Sequence, residues 1–158
     1  LVPQIEELAE AGLDLVLAVS LHAPNNELRN EIMPVNRQYP LEELLKACRR
    51  YVAGTGRRIT FEYALVQGFN DKPVHAGELA RLLQGLNANV NLIPVNESPL
   101  VNAKSGKVFR RPTAEAARRF KELLLKQGIN AVIREEKGSD IAAACGQLAG
   151  TIPVRDPQ

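Results

Sequence analysis

Four short apolar runs, each followed or preceded by a stretch with helical spacing, set the strongest constraint on the fold. The runs are "LDLVLAVSLH" (13–22), "RITFEYALVQG" (58–68), "ANVNLIPVN" (88–96) and "INAVIREE" (129–136). They are short for helices and rich in Leu, Val and Ile, as expected of strands covered on both faces of a parallel sheet. Between them lie amphipathic stretches. "YPLEELLKACRRYVAG" puts Leu41, Leu44, Leu45 and Cys48 on one face, with Pro40 at its start and Gly54 after its end. "HAGELARLLQGL" and "TAEAARRFKELLLKQG" follow, the latter with Thr113 placed to cap it. A first helix is predicted over "LVPQIEELAEAG", with Pro3 in its first turn, Ile5 and Leu8 on one face and Gly12 as its C-cap. Such alternation implies βαβ units and an α/β fold, either an open doubly wound sheet or an arc of a barrel. The first strand is predicted to be an uncovered apolar edge, which leads to the expectation that the chain lacks a natural N-terminal part.

At 158 residues and 45% hydrophobic content the chain can bury the core of one domain. A net charge of +2 permits contact with nucleic acid without requiring it. No run reaches membrane-spanning length and no cleavable leader is visible, so a cytoplasmic protein is expected. Two cysteines, Cys48 and Cys145, cannot make a disulfide framework or a four-thiolate metal site.

Polar residues recur just beyond the strand ends, where parallel α/β folds bind ligands: Ser20 and His22, then Gln67 and Asn70, then Asn96 and Glu97. Each alone also suits an ordinary turn. His22 could serve a ligand or be satisfied by a backbone group, and His75 is expected to face solvent from a helix. Cys48 falls on an apolar helix face and reads as a small hydrophobe. Lys104, Lys107, Arg110 and Arg111, in the long irregular stretch 96–112, and Arg118 and Arg119, in the next helix, fit a solvated face or phosphate contacts equally.

Cys145 stands apart. In "DIAAACGQLAG" (140–150) it has alanine and glycine neighbours that give it no apolar stripe to join. A thiol with that freedom suits nucleophilic chemistry, although no adjacent residue is an obvious base.

"LAVSLHAPNNELRNEIMPVN", "NLIPVNESP" and "GSDIAAACGQLAG" together resemble the C-terminal part of the radical S-adenosylmethionine methyltransferases that act on adenine C2 of 23S ribosomal RNA and transfer RNA. The resemblance runs from about residue 1 to 150 and leaves 151–158 as a tail. It implies an incomplete (βα)6 partial barrel with a C-terminal extension, whose strand ends hold S-adenosylmethionine beside a [4Fe–4S] cluster. Residue by residue, it implies cofactor contacts at Ser20, Leu21, His22 and Asn96, and the methylated cysteine at Cys145. The chemistry it implies loads a methyl group on that cysteine, because adenine C2 is not nucleophilic. A 5′-deoxyadenosyl radical then activates the methyl, and a second thiol releases the product by forming a disulfide. The family's CxxxCxxC cluster motif and its GEP motif do not occur in this sequence. The resemblance also implies RNA as partner, an electron donor such as a flavodoxin, a monomer and no membrane. Adenine C8 as the target, a non-catalytic RNA-binding module and an iron-free thiol enzyme are the alternatives.

Overall fold

The computed structural model describes residues 2–13, 15–95 and 109–134. Asn96, Glu97, Lys104, Lys107, Cys145 and the 151–158 tail lie outside these described residues. The elements run α1 (Val2–Glu10), β1 (Leu17–Ser20), α2 (Asn26–Ile32), a 3-10 turn (Pro34–Arg37), α3 (Leu41–Thr55), β2 (Ile59–Leu65), α4 (Pro73–Leu83), β3 (Ala88–Pro94), α5 (Ala114–Lys126) and β4 (Asn130–Ile133). The four strands are all parallel and lie in sequence order, β1-β2-β3-β4. An order that advances in one direction has no switch point, and right-handed crossovers then place the connecting helices on one face. Of the two sheet arrangements open to the sequence, the described strands form the barrel-type arc.

Alternation along the strands separates two faces. Ile59, Phe61, Tyr63 and Leu65 of β2 are buried, as are Val90 and Leu92 of β3, Val19 of β1 and Ala131 of β4. They pack under the helices with Leu44, Cys48, Leu79, Leu83, Phe120 and Leu124 in one core, where the Tyr63 and Phe120 rings stack with centroids 5.6 Å apart. The residues between them face the other side: Ala18 and Ser20, Thr60, Glu62 and Ala64, and Asn89, Asn91 and Ile93. That second face is half-buried to exposed, and polar along much of its length.

Among the described residues β1 is an edge, as its sequence predicts. It is shorter than the apolar run that encodes it. Its ladder begins opposite Ile59, where β2 itself begins, and Leu13, Leu15 and Val16 stay exposed, Val16 to 81%. Thr113 caps α5 by accepting from the Ala116 N–H at 3.1 Å. The stop of α3 differs from the sequence expectation. The helix runs through Gly54 to Thr55 and closes on Gly56, whose φ of 69° supplies the left-handed C-cap. Helix α2 and the 3-10 turn, in a stretch where sequence reading placed no element, begin with Asn25 accepting from the Leu28 N–H at 3.0 Å.

Candidate functional site

The C-terminal end of β1 is held from three sides. At the top of the ladder the Glu62 carbonyl accepts from both Leu21 N–H (2.9 Å) and His22 N–H (3.3 Å), which turns the chain off the sheet. His22 adopts φ 59°, the left-handed region that non-glycine residues enter at a cost. Neighbouring bonds hold it there. The Ala64 N–H donates to His22 Nδ1 at 3.0 Å, and Asn70 Nδ2 donates to the His22 carbonyl at 2.9 Å and to the Ala64 carbonyl at 2.7 Å. Asn70 is fully buried, and its Oδ1 also accepts from Val66 N–H at 2.8 Å. Sequence reading placed Asn70 among the ligand-facing rim residues; the structure makes it a clamp between β2 and the β1 end, with its side-chain groups engaged by protein.

The third side is Arg29, 3% exposed at the middle of α2. Its Nε donates to the Leu21 carbonyl at 3.0 Å, one terminal nitrogen to the Ser20 carbonyl at 3.1 Å, and the other to Asn36 Oδ1 at 2.7 Å and the Tyr39 carbonyl at 3.4 Å. Asn36 in turn donates to Asn30 Oδ1 at 2.8 Å and Asn26 Oδ1 at 3.1 Å. A fork with five donors suits this task because it can bond several carbonyls at fixed angles. Its charge is spread over carbonyl and amide dipoles. Sequence reading missed Arg29, and the signal available was the run of asparagines at 25, 26, 30 and 36 around one arginine.

These bonds decide what each rim residue offers a ligand. Ser20 is exposed on the polar sheet face. The Leu21 side chain is fully buried, its N–H is engaged, and its carbonyl keeps one lone pair beyond Arg29. Because His22 Nδ1 accepts a backbone hydrogen, the ring's proton sits on Nε2, leaving one donor. Burial lowers the His22 pKa below 6.5, Arg29 lowers it further, and Glu62 opposes them. The imidazole is neutral at pH 7. In the unfolded chain it regains its ordinary value, so the stability tied to the neutral ring is complete above about pH 6.5 and is lost as pH falls toward the folded value. Acidification from pH 7 to 5 should therefore destabilise the parent more than His22→Asn, which keeps an acceptor and tolerates a left-handed backbone. Equal slopes in denaturation midpoints across that range would remove His22 as the titrating group.

Asn96 follows Val95, whose N–H donates to the Leu65 carbonyl at 3.1 Å at the C-terminal end of β2. The chain thus reaches the same rim one residue before Asn96, which itself is outside the described residues. Gln67 is exposed on this rim, and its N–H donates to the Arg110 carbonyl at 2.9 Å. Exposed Arg110 and Arg111 therefore enter beside the strand ends. Arg118 and Arg119 differ, standing on exposed α5 turns interleaved with Glu115 and Glu122, a mixed-sign solvated face. His75, expected to face solvent, is half-buried, and its Nδ1 accepts from the Lys72 N–H at 3.4 Å at the start of α4. Cys48 is fully buried, as its helix face predicts, and burial pushes its thiol up to about 12. It is protonated at neutral pH and serves packing. No helix among the described residues is long and apolar enough to cross a membrane.

No protein-family model matches the chain. The probable dual-specificity RNA methyltransferases RlmN of Caldanaerobacter subterraneus subsp. tengcongensis and Moorella thermoacetica are 53% and 54% identical to it over 148 residues, 94% of the chain. The chain spans about two fifths of the length of these curated relatives, 42% and 40%. A radical SAM methyltransferase from Sphaerobacter thermophilus superposes with a TM-score of 0.86 at 52% identity, over 93% of this chain and 41% of that one. A domain of the pyruvate-formate lyase-activating enzyme from Bacteroides vulgatus shares the fold, with a TM-score of 0.64 at 20% identity over 84% of this chain and 74% of that one. With half its residues identical to theirs over nearly its whole length, and with their fold, the chain belongs to the RlmN family of radical S-adenosylmethionine methyltransferases.

Proposed function

We propose that this chain is the C-terminal part of a methyltransferase that places a methyl group on adenine C2 of 23S ribosomal RNA or transfer RNA, with S-adenosylmethionine seated at the ends of β1 and β3. The observation that carries this reading is the β1 end, where buried Arg29 and Asn70 fix a left-handed His22. Strain of this kind persists where surrounding groups over-determine it, and it marks ligand sites. The polar groups fit the cofactor: an exposed Ser20 hydroxyl, one N–H donor on His22, and, as acceptor, the half-buried Glu62 carboxylate in register with Ser20. Ser20, Leu21, His22 and Asn96 are the contacts we assign. Bound there, the cofactor supplies the methyl group and the 5′-deoxyadenosyl fragment.

The described residues do not fit a [4Fe–4S] cluster. No three His, Cys, Asp or Glu side chains among them gather at one point, and Cys48 is sealed in the core. We place the cluster ligands, the second thiol and the docking of an electron donor such as a flavodoxin in sequence preceding this chain in the full-length enzyme. We assign Cys145, whose sequence neighbours are alanine and glycine, as the residue whose thiolate would accept the methyl, with S-adenosylhomocysteine leaving, and carry it toward the base. Arg110 and Arg111 at the rim hold RNA phosphates. The enzyme acts as a cytoplasmic monomer.

Full-length protein containing this chain, given methyl-labelled S-adenosylmethionine and 23S ribosomal RNA or transfer RNA, should yield labelled 2-methyladenosine on hydrolysis. Label at C8, or none in either RNA, would overturn the assignment.

A further inference from the structure

Glu62 carries a hydrogen-bonding capacity that the described protein does not use. It lies on the polar face of β2, opposite Ser20 of β1 and Asn91 of β3 in the ladder. Asn91 Nδ2 donates to Glu62 Oε1 at 3.1 Å, which fixes the carboxylate's orientation. Oε2 is buried and has no hydrogen-bond partner among the described residues. A buried carboxylate oxygen without a donor is costly, and natural folds keep such groups where something else completes them. A purely structural carboxylate would be expected to satisfy both oxygens. The Glu62 backbone carbonyl, meanwhile, is the acceptor that anchors Leu21 and His22. Side chain and backbone of one residue thus serve the same strand end.

We propose that Glu62 Oε2 is a ligand acceptor, taking a hydrogen bond from a ribose hydroxyl of the nucleoside seated at the Ser20–His22 strand end. The proposal rests on the reading of that strand end as the S-adenosylmethionine site. A carboxylate accepts from one hydroxyl of a vicinal diol while an adjacent alcohol can pair with the other, the carboxylate-to-ribose pairing that recurs in nucleotide-binding α/β folds. Ser20, directly opposite in the ladder and exposed, is that alcohol. Asn91 holds Glu62 for the ligand from the far side and is a positioning residue.

The test is equilibrium binding to the full-length protein containing this chain, parent and Glu62→Gln, with S-adenosylmethionine and its 2′-deoxy and 3′-deoxy analogues. Glutamine keeps the shape and an oxygen for Asn91. A hydrogen bond to a charged group predicts that Glu62→Gln binds S-adenosylmethionine about tenfold more weakly. Against the analogue lacking the contacted hydroxyl, parent and variant should agree within about twofold. Equal weakening for all three ligands, or for none, overturns the proposal. If Glu62→Gln does not fold, the parent alone decides, because it must lose about tenfold toward one deoxy analogue; equal affinity for all three overturns the proposal. Hydrogen exchange separates this outcome from failure of the underlying site. If the cofactor protects the amides of residues 20–23 but the hydroxyls do not matter, only the Glu62 contact falls. If no cofactor binds, or those amides gain no protection, the site reading falls with it.

Discussion

Replacing Cys145 with alanine in the full-length enzyme should abolish 2-methyladenosine while leaving S-adenosylmethionine binding within about twofold of the parent. The first effect should exceed a thousandfold, since removing a residue that forms a covalent intermediate removes the route itself rather than one stabilising contact, on the order of the losses seen for other nucleophiles. The second follows from where the contacts lie. Ser20, Leu21 and His22 are fixed by Glu62, Arg29 and Asn70, none of which belongs to the segment that carries Cys145. A structural cysteine predicts the opposite pairing of results. Losing one sulfur among alanines and glycines should cost little stability and leave turnover measurable. The assay follows a labelled methyl from the cofactor, by mass spectrometry of the 140–150 peptide and of nucleosides from the RNA. Labelled Cys145 in the parent and an unlabelled peptide with no methyladenine in the variant support the carrier role. Methyladenine from Cys145→Ala near the parental rate would end it.

How much of this was legible in the sequence depends on whether the signal is periodic. The strands and the main helices were readable because burial on one side imposes a period of two or 3.6, and Leu41, Leu44, Leu45 and Cys48 are all buried where that period puts them. The edge position of β1 was readable from order alone. Contacts between distant segments leave no period. Asn70 and His22 are 48 residues apart, and nothing local distinguishes an asparagine that clamps a strand end from one that forms a turn or meets a ligand. Arg29 and Glu62 carry charges that ordinarily mark solvated positions, and only the folded chain shows one buried among carbonyls and the other with a buried oxygen unpaired. Asn96 and Cys145 lie outside the described residues, so Cys145 is assigned on family motif alone, and Asn96 on that motif and on the direction in which β3 delivers the chain.

The buried arginine also gives the largest stability effect expected from a single change. Arg29→Met keeps much of the side chain's volume and removes every donor. It would leave the Ser20, Leu21 and Tyr39 carbonyls and Asn36 Oδ1 without the bonds Arg29 makes to them, at least two of these in buried positions. Each buried acceptor stripped of its donor costs about 1–3 kcal/mol, and water can reach the exposed side of Ser20, so a total of about 3–5 kcal/mol is expected. That is a large share of the roughly 5–15 kcal/mol that holds a domain together. Swapping a buried ion pair for apolar residues can be neutral, but that precedent does not apply, because the partners here are backbone groups that the substitution cannot remove with the charge. Arg29→Lys should recover part of the loss, since an ammonium can reach one or two of the carbonyls but cannot reproduce the fork. The cost should also appear at the ligand site. With the Ser20 and Leu21 carbonyls released, the backbone that His22 holds at positive φ has one fewer restraint, and S-adenosylmethionine binding should weaken in Arg29→Lys even at temperatures where that variant is fully folded. Denaturant midpoints for the parent and both variants, with cofactor titrations on the folded proteins, read the two effects separately. A methionine variant within about 0.5 kcal/mol of the parent would mean the carbonyls find other donors, and a lysine variant that binds cofactor as the parent does would mean the strand end holds its shape without the arginine fork.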